Sequence, residues 1–344
     1  MNELKRLGGM LKTARLVALI IILIIFAILF AFYLIELRKR RPSEELKEIL
    51  KEIEEKGIRP IPRKFIPLEG KACWIWDSTF REYGVDYVID KIGELGIKHI
   101  FVLVKGTGGS VVKEIVSEVL PKAHERGMYV HAWIVCFKDR SRADATPDSY
   151  SYRKYLLEII LDFLLLNSSG HFVDGIHLDY ICYGGFAHHR WRAISLFVKE
   201  VRELIDKVAP GAILSIASKA EKYDSKTDLL ESALFYGQSY EDLSKYVDLF
   251  CPMTYYLDYN IPPNLVGIAS RWIKEVTKKP VFAGIQLHPS EHPETEGKEP
   301  ELDELLSCFT SCLENGINGV IFFRFEMLLL KWDKYSELIK NFKI

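Results

Sequence analysis

The stretch Val173–Gly185, "VDGIHLDYICYGG", is an apolar, β-rich run that carries an aspartate, Asp179, in its middle. An ionised carboxylate inside a buried strand is costly unless it is paired or sits at an opening. Period-2 alternation puts Gly175, His177 and Asp179 on one face and Ile176 and Leu178 on the other. Asp179 is therefore either a structural ion-pair partner or the end of a strand where chemistry happens. Its neighbours along the chain decide between the two.

Seven further runs of the same character surround it: "KACWIWD", "IKHIFVLVK", "YVHAWIVCF", "GAILSIASK", "VDLFCPMTYY", "PVFAGIQL" and "GVIFFRFE". Stretches of helical period lie between them, such as "VVKEIVSEVLPKAHERG" and "WRAISLFVKEVRELIDKVA". Eight strands alternating with helices over about 270 residues match the (β/α)8 TIM barrel, whose usual size is about 250 residues. Near-continuous apolar strands are expected where helices cover a parallel sheet. A doubly wound sheet competes, but no G-x-G-x-x-G follows the first strand.

Barrel active sites lie at the C-terminal ends of the strands, and Asp179 falls late in the fourth. With Ile176 and Leu178 facing the helices, Asp179 is expected to point into the mouth. The same parity places Asp77 and Lys105 at the ends of strands one and two, and His131 and Trp133 inward on strand three. Strand five ends at Lys219, with Glu221 two residues on. Met253 and Tyr255 come from strand six, with Asp258 just beyond, Gln286 from seven, and Arg324 and Glu326 from eight. Carboxylates interleaved with cations and aromatics suit general acid/base work, and glycoside hydrolysis needs one protonated and one ionised carboxyl. Trp133, Tyr183 and Tyr255 offer flat faces for sugar rings. Lys219, on the neighbouring strand, is expected to favour ionised Asp179 as nucleophile or electrostatic stabiliser. Its partner is expected to be Glu221, then Glu326, then Asp77.

The motifs "VHAWI", "VDGIHLDYICY" and "PMTYY" on strands three, four and six resemble the glycosyl-hydrolase-like 10 family of glycosidases, whose fourth strand reads close to G-[IV]-H-x-D-Y-[IV]-R-Y-P. The resemblance spans roughly Lys71 to Glu326 and is strongest in those three strands. It implies His131, Trp133, His177, Asp179 and Tyr255 as site residues and a carbohydrate, cell-envelope substrate. The family's arginine and proline are replaced by Cys182 and Gly184, which removes a bidentate donor. A weaker resemblance is to chitinase-type barrels, through Met253 and Tyr255. The chitinase glutamate two residues after the aspartate is Ile181 here, which argues against substrate-assisted chemistry.

The chain has 344 residues, 49% of them hydrophobic and 27% charged, with a net charge of -1, a balance that gives no sign of a nucleic-acid partner. Residues 16–35, "LVALIIILIIFAILFAFYLI", form an uncharged apolar run long enough to cross a lipid bilayer as one helix. No small-residue cleavage site follows it, so a signal-anchor is expected, after a basic segment at 1–15. The basic flanks nearly balance, and the extracytoplasmic side is the favoured one for the barrel. Residues 36–70 read as a charged helical and Pro-rich stalk, and 71–344 as the barrel.

Other signals are set aside. "KGTGGS" lacks phosphate-loop spacing, and His288, Glu291 and His292 sit among prolines without a helical frame for metal. "FAHHRW" is read as a loop lining the mouth or simply entering the next helix. Lys219 as a Schiff-base lysine has no further support. No CxxC occurs, and no cofactor is expected. The rival to the hydrolase is a catalytically inactive barrel that binds glycans or organises the envelope.

Overall fold

The computed structural model describes residues 43–344, together with Ile21, Ile22, Ile24, Ile25, Phe26 and Phe30. Those six are helical and exposed. The expected bilayer span at 16–35 otherwise lies outside the described residues. Among the described residues no helix is long and apolar enough to cross a membrane.

The strands are β1 (Gly70–Ile75), β2 (His99–Lys105), β3 (Tyr129–Val135), β4 (Gly175–Asp179), β5 (Ile213–Ser218), β6 (Leu249–Pro252), β7 (Phe282–Gln286) and β8 (Gly319–Phe323). Every one falls in a run expected from the sequence. The helices are α1 (Glu44–Glu55), α2 (Asp77–Tyr83), α3 (Val85–Glu94), α4 (Glu114–Glu125), α5 (Tyr150–Leu165) and α6 (Trp191–Val208). They continue with α7 (Lys226–Phe235), α8 (Tyr240–Leu243), α9 (Leu265–Thr277), α10 (Leu302–Glu314), α11 (Phe325–Leu330) and α12 (Trp332–Asn341).

All the strand pairs are parallel, in the order β6-β5-β4-β3-β2-β1-β8-β7. A single parallel bridge from Phe250 to Val281 brings β6 and β7 together and closes the ring. The fold is thus a (β/α)8 barrel, its strands buried on both faces. The covering helices bury stripes at helical spacing; α6 hides Ile194, Phe197, Val198, Val201, Leu204, Ile205 and Val208. Inside the ring, Trp74, Phe101, Trp133, Cys251, Phe282 and Ile321 form one apolar core.

Three histidines lie within that core. His99 and His131 contact each other through Nδ1 and Nε2 at 3.1 Å, and His131 stacks on Phe101 with centroids 4.3 Å apart. Gly175 makes room for them: a Cβ there would lie 2.5 Å from His131 Nδ1 and 2.6 Å from the Ile213 carbonyl oxygen. His177 accepts from Trp74 Nε1 at 2.9 Å, so its Nδ1 carries the proton toward Ser215 Oγ, also at 2.9 Å. Burial holds all three imidazoles neutral, with His99 lowered to about 4, His177 to about 3, and His131 well below the ordinary value.

Residues 48–69, expected as part of a solvated stalk, instead pack on the barrel. Ile49 and Ile53 of α1 are buried, and Glu48 pairs with Lys154 at 2.7 Å. The Pro-rich strand that follows is strapped under the barrel. Ile61 and Arg63 donate backbone N–H bonds to the carbonyls of Val208 and Pro210. The Arg63 guanidinium donates to the carbonyls of Ile61, Leu164 and Val173, and Leu68 packs against the core from below. An open barrel base exposes apolar side chains and strand-end carbonyls, and this strap covers both.

Candidate active site

A cavity of about 330 Å³ opens at the C-terminal ends of the strands. Trp74, Leu103, Trp133, Ala217 and Phe323 form its floor and walls, with Trp76, Tyr180, Met253 and Tyr255 above them. Its polar groups are Asp179, Asp258, His288 and Glu291, and the β2 loop adds Gly106 and Thr107.

Asp179 ends β4 and is only 6% exposed. Its Oδ2 accepts Trp133 Nε1–H at 3.1 Å, and its Oδ1 accepts the Tyr180 N–H at 2.6 Å. Tyr180 adopts a φ of 49°, a left-handed conformation that is uncommon for a residue with a Cβ and recurs at functional sites. Burial pushes the Asp179 carboxyl up to about 6, against the pull of those two donors and of Lys219 and Lys138. This corrects the expected dominance of Lys219. The lysine is occupied elsewhere, donating to Glu221 at 2.6 Å, so desolvation prevails and the proton is held.

Asp258 has the opposite environment. Burial alone would raise its pKa, but His288 at 3.0 Å, the Glu291 N–H at 2.9 Å and Gln286 Nε2 at 2.8 Å hold it below the usual carboxylate range. Gln286 also accepts the N–H groups of Leu257 and Asp258 through Oε1, which fixes this loop on the end of β7. His288 is wedged edge-on between Tyr255 and Phe323. The mouth therefore presents two carboxyl groups pushed in opposite directions. Among the described residues no group of three or more His, Cys, Asp or Glu is arranged to hold a metal ion.

Of the residues expected here, Asp179, Trp133, Met253 and Tyr255 line the cavity. Gln286 acts from behind Asp258, and Arg324 braces Trp76, its guanidinium 3.9 Å from the ring. The others lie elsewhere. His131 and His177 are wholly buried in the core beneath the mouth. Tyr183 packs under Arg190. Glu221 is tied to Lys219 and to the Tyr236 hydroxyl at 2.6 Å. Glu326, whose carboxyl burial pushes up, faces Arg324 at 2.5 Å. Asp77 opens α2, paired with Arg81 at 3.0 Å, beside a separate small recess.

Lys105 is a correction with a definite cause. The register between β2 and β3 shifts between Leu103 and Lys105, and such a bulge reverses side-chain parity. Lys105 turns out of the mouth to a fully buried pair with Asp139 at 3.0 Å, also donating to the Val135 carbonyl and the Tyr152 hydroxyl. Lys105→Met leaves Asp139 without its cation, held only by Ser141 and the Tyr152 hydroxyl, and is expected to cost about 3 kcal/mol in urea unfolding; a loss under about 1 kcal/mol would refute a structural role for the pair.

Asp258, His288 and Glu291 were visible in the sequence, but Asp258 stood only beyond a strand end and the other two in a Pro-rich loop. Loops carry no side-chain period, so parity could not aim them.

The sequence matches no protein-family model, and no curated protein matches it either. Solved structures do share the fold. The glycoside hydrolase domain of PgaB (BpsB) from Bordetella bronchiseptica superposes with a TM-score of 0.62 at 11% identity, over 80% of this chain and 98% of that one. The spore cortex-lytic enzyme SleL of Bacillus cereus gives 0.59 at 14% identity, over 83% and 77%. The endo-beta-1,4-mannanase of Thermotoga petrophila gives 0.56 at 12% identity, over 76% and 68%.

Proposed function

We propose that this barrel is a glycoside hydrolase acting on a polysaccharide or cell-envelope glycan, with Asp179 as general acid and Asp258 as its ionised partner. One observation carries the reading: two carboxyl groups share one aromatic-lined cavity, and burial raises the first to about 6 while three donors lower the second. Environments that separate two pKa values in this way assign acid and base. Asp179 gives its proton to the glycosidic oxygen as the bond to C1 breaks and its electrons pass to that oxygen. Asp258 faces the positive charge developing at C1. Water then supplies hydroxide to C1, and its remaining proton restores the carboxyl pair. Trp133 and Tyr255 offer rings to the sugar, as the third- and sixth-strand motifs of the glycosyl-hydrolase-like 10 family imply, and family membership belongs to this reading. So does tethering through residues 16–35, with the barrel on the extracytoplasmic side.

The test incubates the full-length chain with mannan, xylan, chitosan, β-glucan and peptidoglycan and counts released reducing ends between pH 4 and 8. Turnover that falls as pH rises through about 6, where Asp179 loses its proton, supports the assignment. Glycan binding without turnover at any pH leaves the rival, a sugar-binding barrel.

A further inference from the structure

The end of the barrel away from the mouth holds a second cavity of about 640 Å³, between the Pro-rich strap and the starts of β3 and β4. His124, His171 and Asp174 line it together. His124 stands in the last turn of α4, and its Nε2 meets Asp174 Oδ2 at 2.9 Å. Its other ring nitrogen, Nδ1, faces Nδ1 of His171, also at 2.9 Å. Neither histidine belongs to the mouth or to the buried imidazole cluster in the core.

The backbone holds these three side chains in place. Asp174 Oδ2 also accepts the Val130 N–H at 2.7 Å, and the Asp174 N–H donates to the Val130 carbonyl at 2.8 Å. His171 closes a tight turn in which it and Ser168 exchange both backbone hydrogen bonds at 2.9 Å, with Ser169 and Gly170 between them at φ of 53° and 86°. Ser168 Oγ donates to the Ser117 carbonyl at 2.6 Å, which ties that turn to the helix carrying His124. An ionised carboxylate only accepts, so His124 Nε2 carries the hydrogen and the lone pair of its Nδ1 points at His171. In the empty pair, His171 Nδ1–H fills that lone pair.

We infer that the pair is a transition-metal site, in which His124 Nδ1 and His171 Nδ1 bind one Cu(II) or Ni(II) ion. Transfer of the His171 hydrogen from Nδ1 to Nε2 through solvent frees the second lone pair and leaves the charge of the protein unchanged. Metal–imidazole bonds are about 2.0–2.1 Å, so two nitrogens at a right angle about the ion stand roughly 2.9 Å apart, and at a tetrahedral angle roughly 3.4 Å. The observed 2.9 Å matches the right angle of tetragonal Cu(II) or Ni(II). Each ring swings off the line between them to aim at the ion. Asp174 is the carboxylate that a ligating histidine needs on its far nitrogen, fixing tautomer and ring. The chain supplies two ligands rather than three, and water completes the shell from the open side, where the His124 side chain is 20% exposed. Arg63 lies within electrostatic reach of Asp174, and Lys64 lines the cavity. Two cations disfavour an ion held by charge and oxygen donors, such as Ca²⁺ or Mg²⁺, and leave the imidazole-seeking metals.

The test titrates the full-length chain with CuCl2 near neutral pH, beside His171→Asn, Asp174→Asn and a His188→Asn/His189→Asn double variant. That last pair is adjacent and exposed, and is the competing surface site. The parent is expected to bind about one Cu(II) tightly, with an electron paramagnetic resonance spectrum showing two coupled imidazole nitrogens, and to melt at a higher temperature with the ion. His171→Asn should lose that signal, Asp174→Asn should bind about tenfold or more weakly, and the His188/His189 double variant should keep the site. A parent that binds no copper, or shows no imidazole pair in its spectrum, overturns the inference whether or not the variants fold. So does undiminished binding by His171→Asn. Loss of binding in the His188/His189 double variant would reveal an adventitious ion only and overturn it as well.

Discussion

Replacing Asp179 with asparagine is expected to abolish turnover and, at neutral pH, to make the protein more stable. The activity loss follows from removing the proton that burial holds on Asp179, and a lost general acid costs about 10²–10⁴-fold. The stability gain follows from linkage. The carboxyl titrates at about 6 in the folded chain and at about 3.9 when unfolded. Folding therefore takes up a proton between those values, and the stability linked to it is present below pH 4 and lost as pH rises through 6. At pH 7.5 the ionised, buried aspartate costs about 3 kcal/mol. Asparagine removes that cost and gives up one of the two bonds from Trp133 and Tyr180, worth about 1 kcal/mol. The net expectation is a gain of about 2 kcal/mol at pH 7.5, read as a higher melting temperature that converges with the parent by pH 4. A variant that is inactive but also less stable at pH 7.5 would show that Asp179 supports the fold as an ion, and the general-acid role would fail with it.

The second large effect is acid unfolding. His99, His131 and His177 are neutral in the core, each with its pKa depressed by burial. Unfolded, each takes up a proton near pH 6.5. Their contribution to stability is complete above pH 6.5 and is lost as pH falls from there toward about 4 and below. At pH 4.5 the loss is about 2–3 kcal/mol each for His99 and His177, or about 5 kcal/mol together, and His131 acts in the same direction. Asp179 titrates in the other direction and returns about 2 kcal/mol, leaving a net loss of about 3 kcal/mol from these three groups. That is a large fraction of the whole stability of many domains. Urea midpoints measured from pH 7 to 4.5 should fall steeply below 6.5, and more steeply in the Asp179→Asn variant, which lacks the compensating proton. Flat stability across that range would mean that the histidines are charged in the folded core. The proposed general acid works protonated and folding needs the histidines neutral, so activity is expected in a narrow band around pH 5–6.5.

The sequence by itself determined the barrel, the eight strands and the position of Asp179 at the end of the fourth. Each depends on a local regularity: apolar runs where a parallel sheet is covered, helical spacing between them, and period-2 alternation within them. The same alternation brought Trp133, Met253 and Tyr255 to the cavity. It could not say how deep an inward residue lies, because depth is set by how neighbouring strands are staggered around the ring. His131 and His177 therefore share parity with the site yet sit below it. Nor could it foresee the bulge that turns Lys105 away, since one extra residue in a ladder leaves no mark on composition. Asp258 and His288 came together only in the folded chain, where Gln286 at the end of β7 draws the β6 loop across the mouth. Tertiary structure also decided the proton on Asp179: the nearby Lys219 was readable in the chain, but its capture by Glu221 and the burial that outweighs it were not.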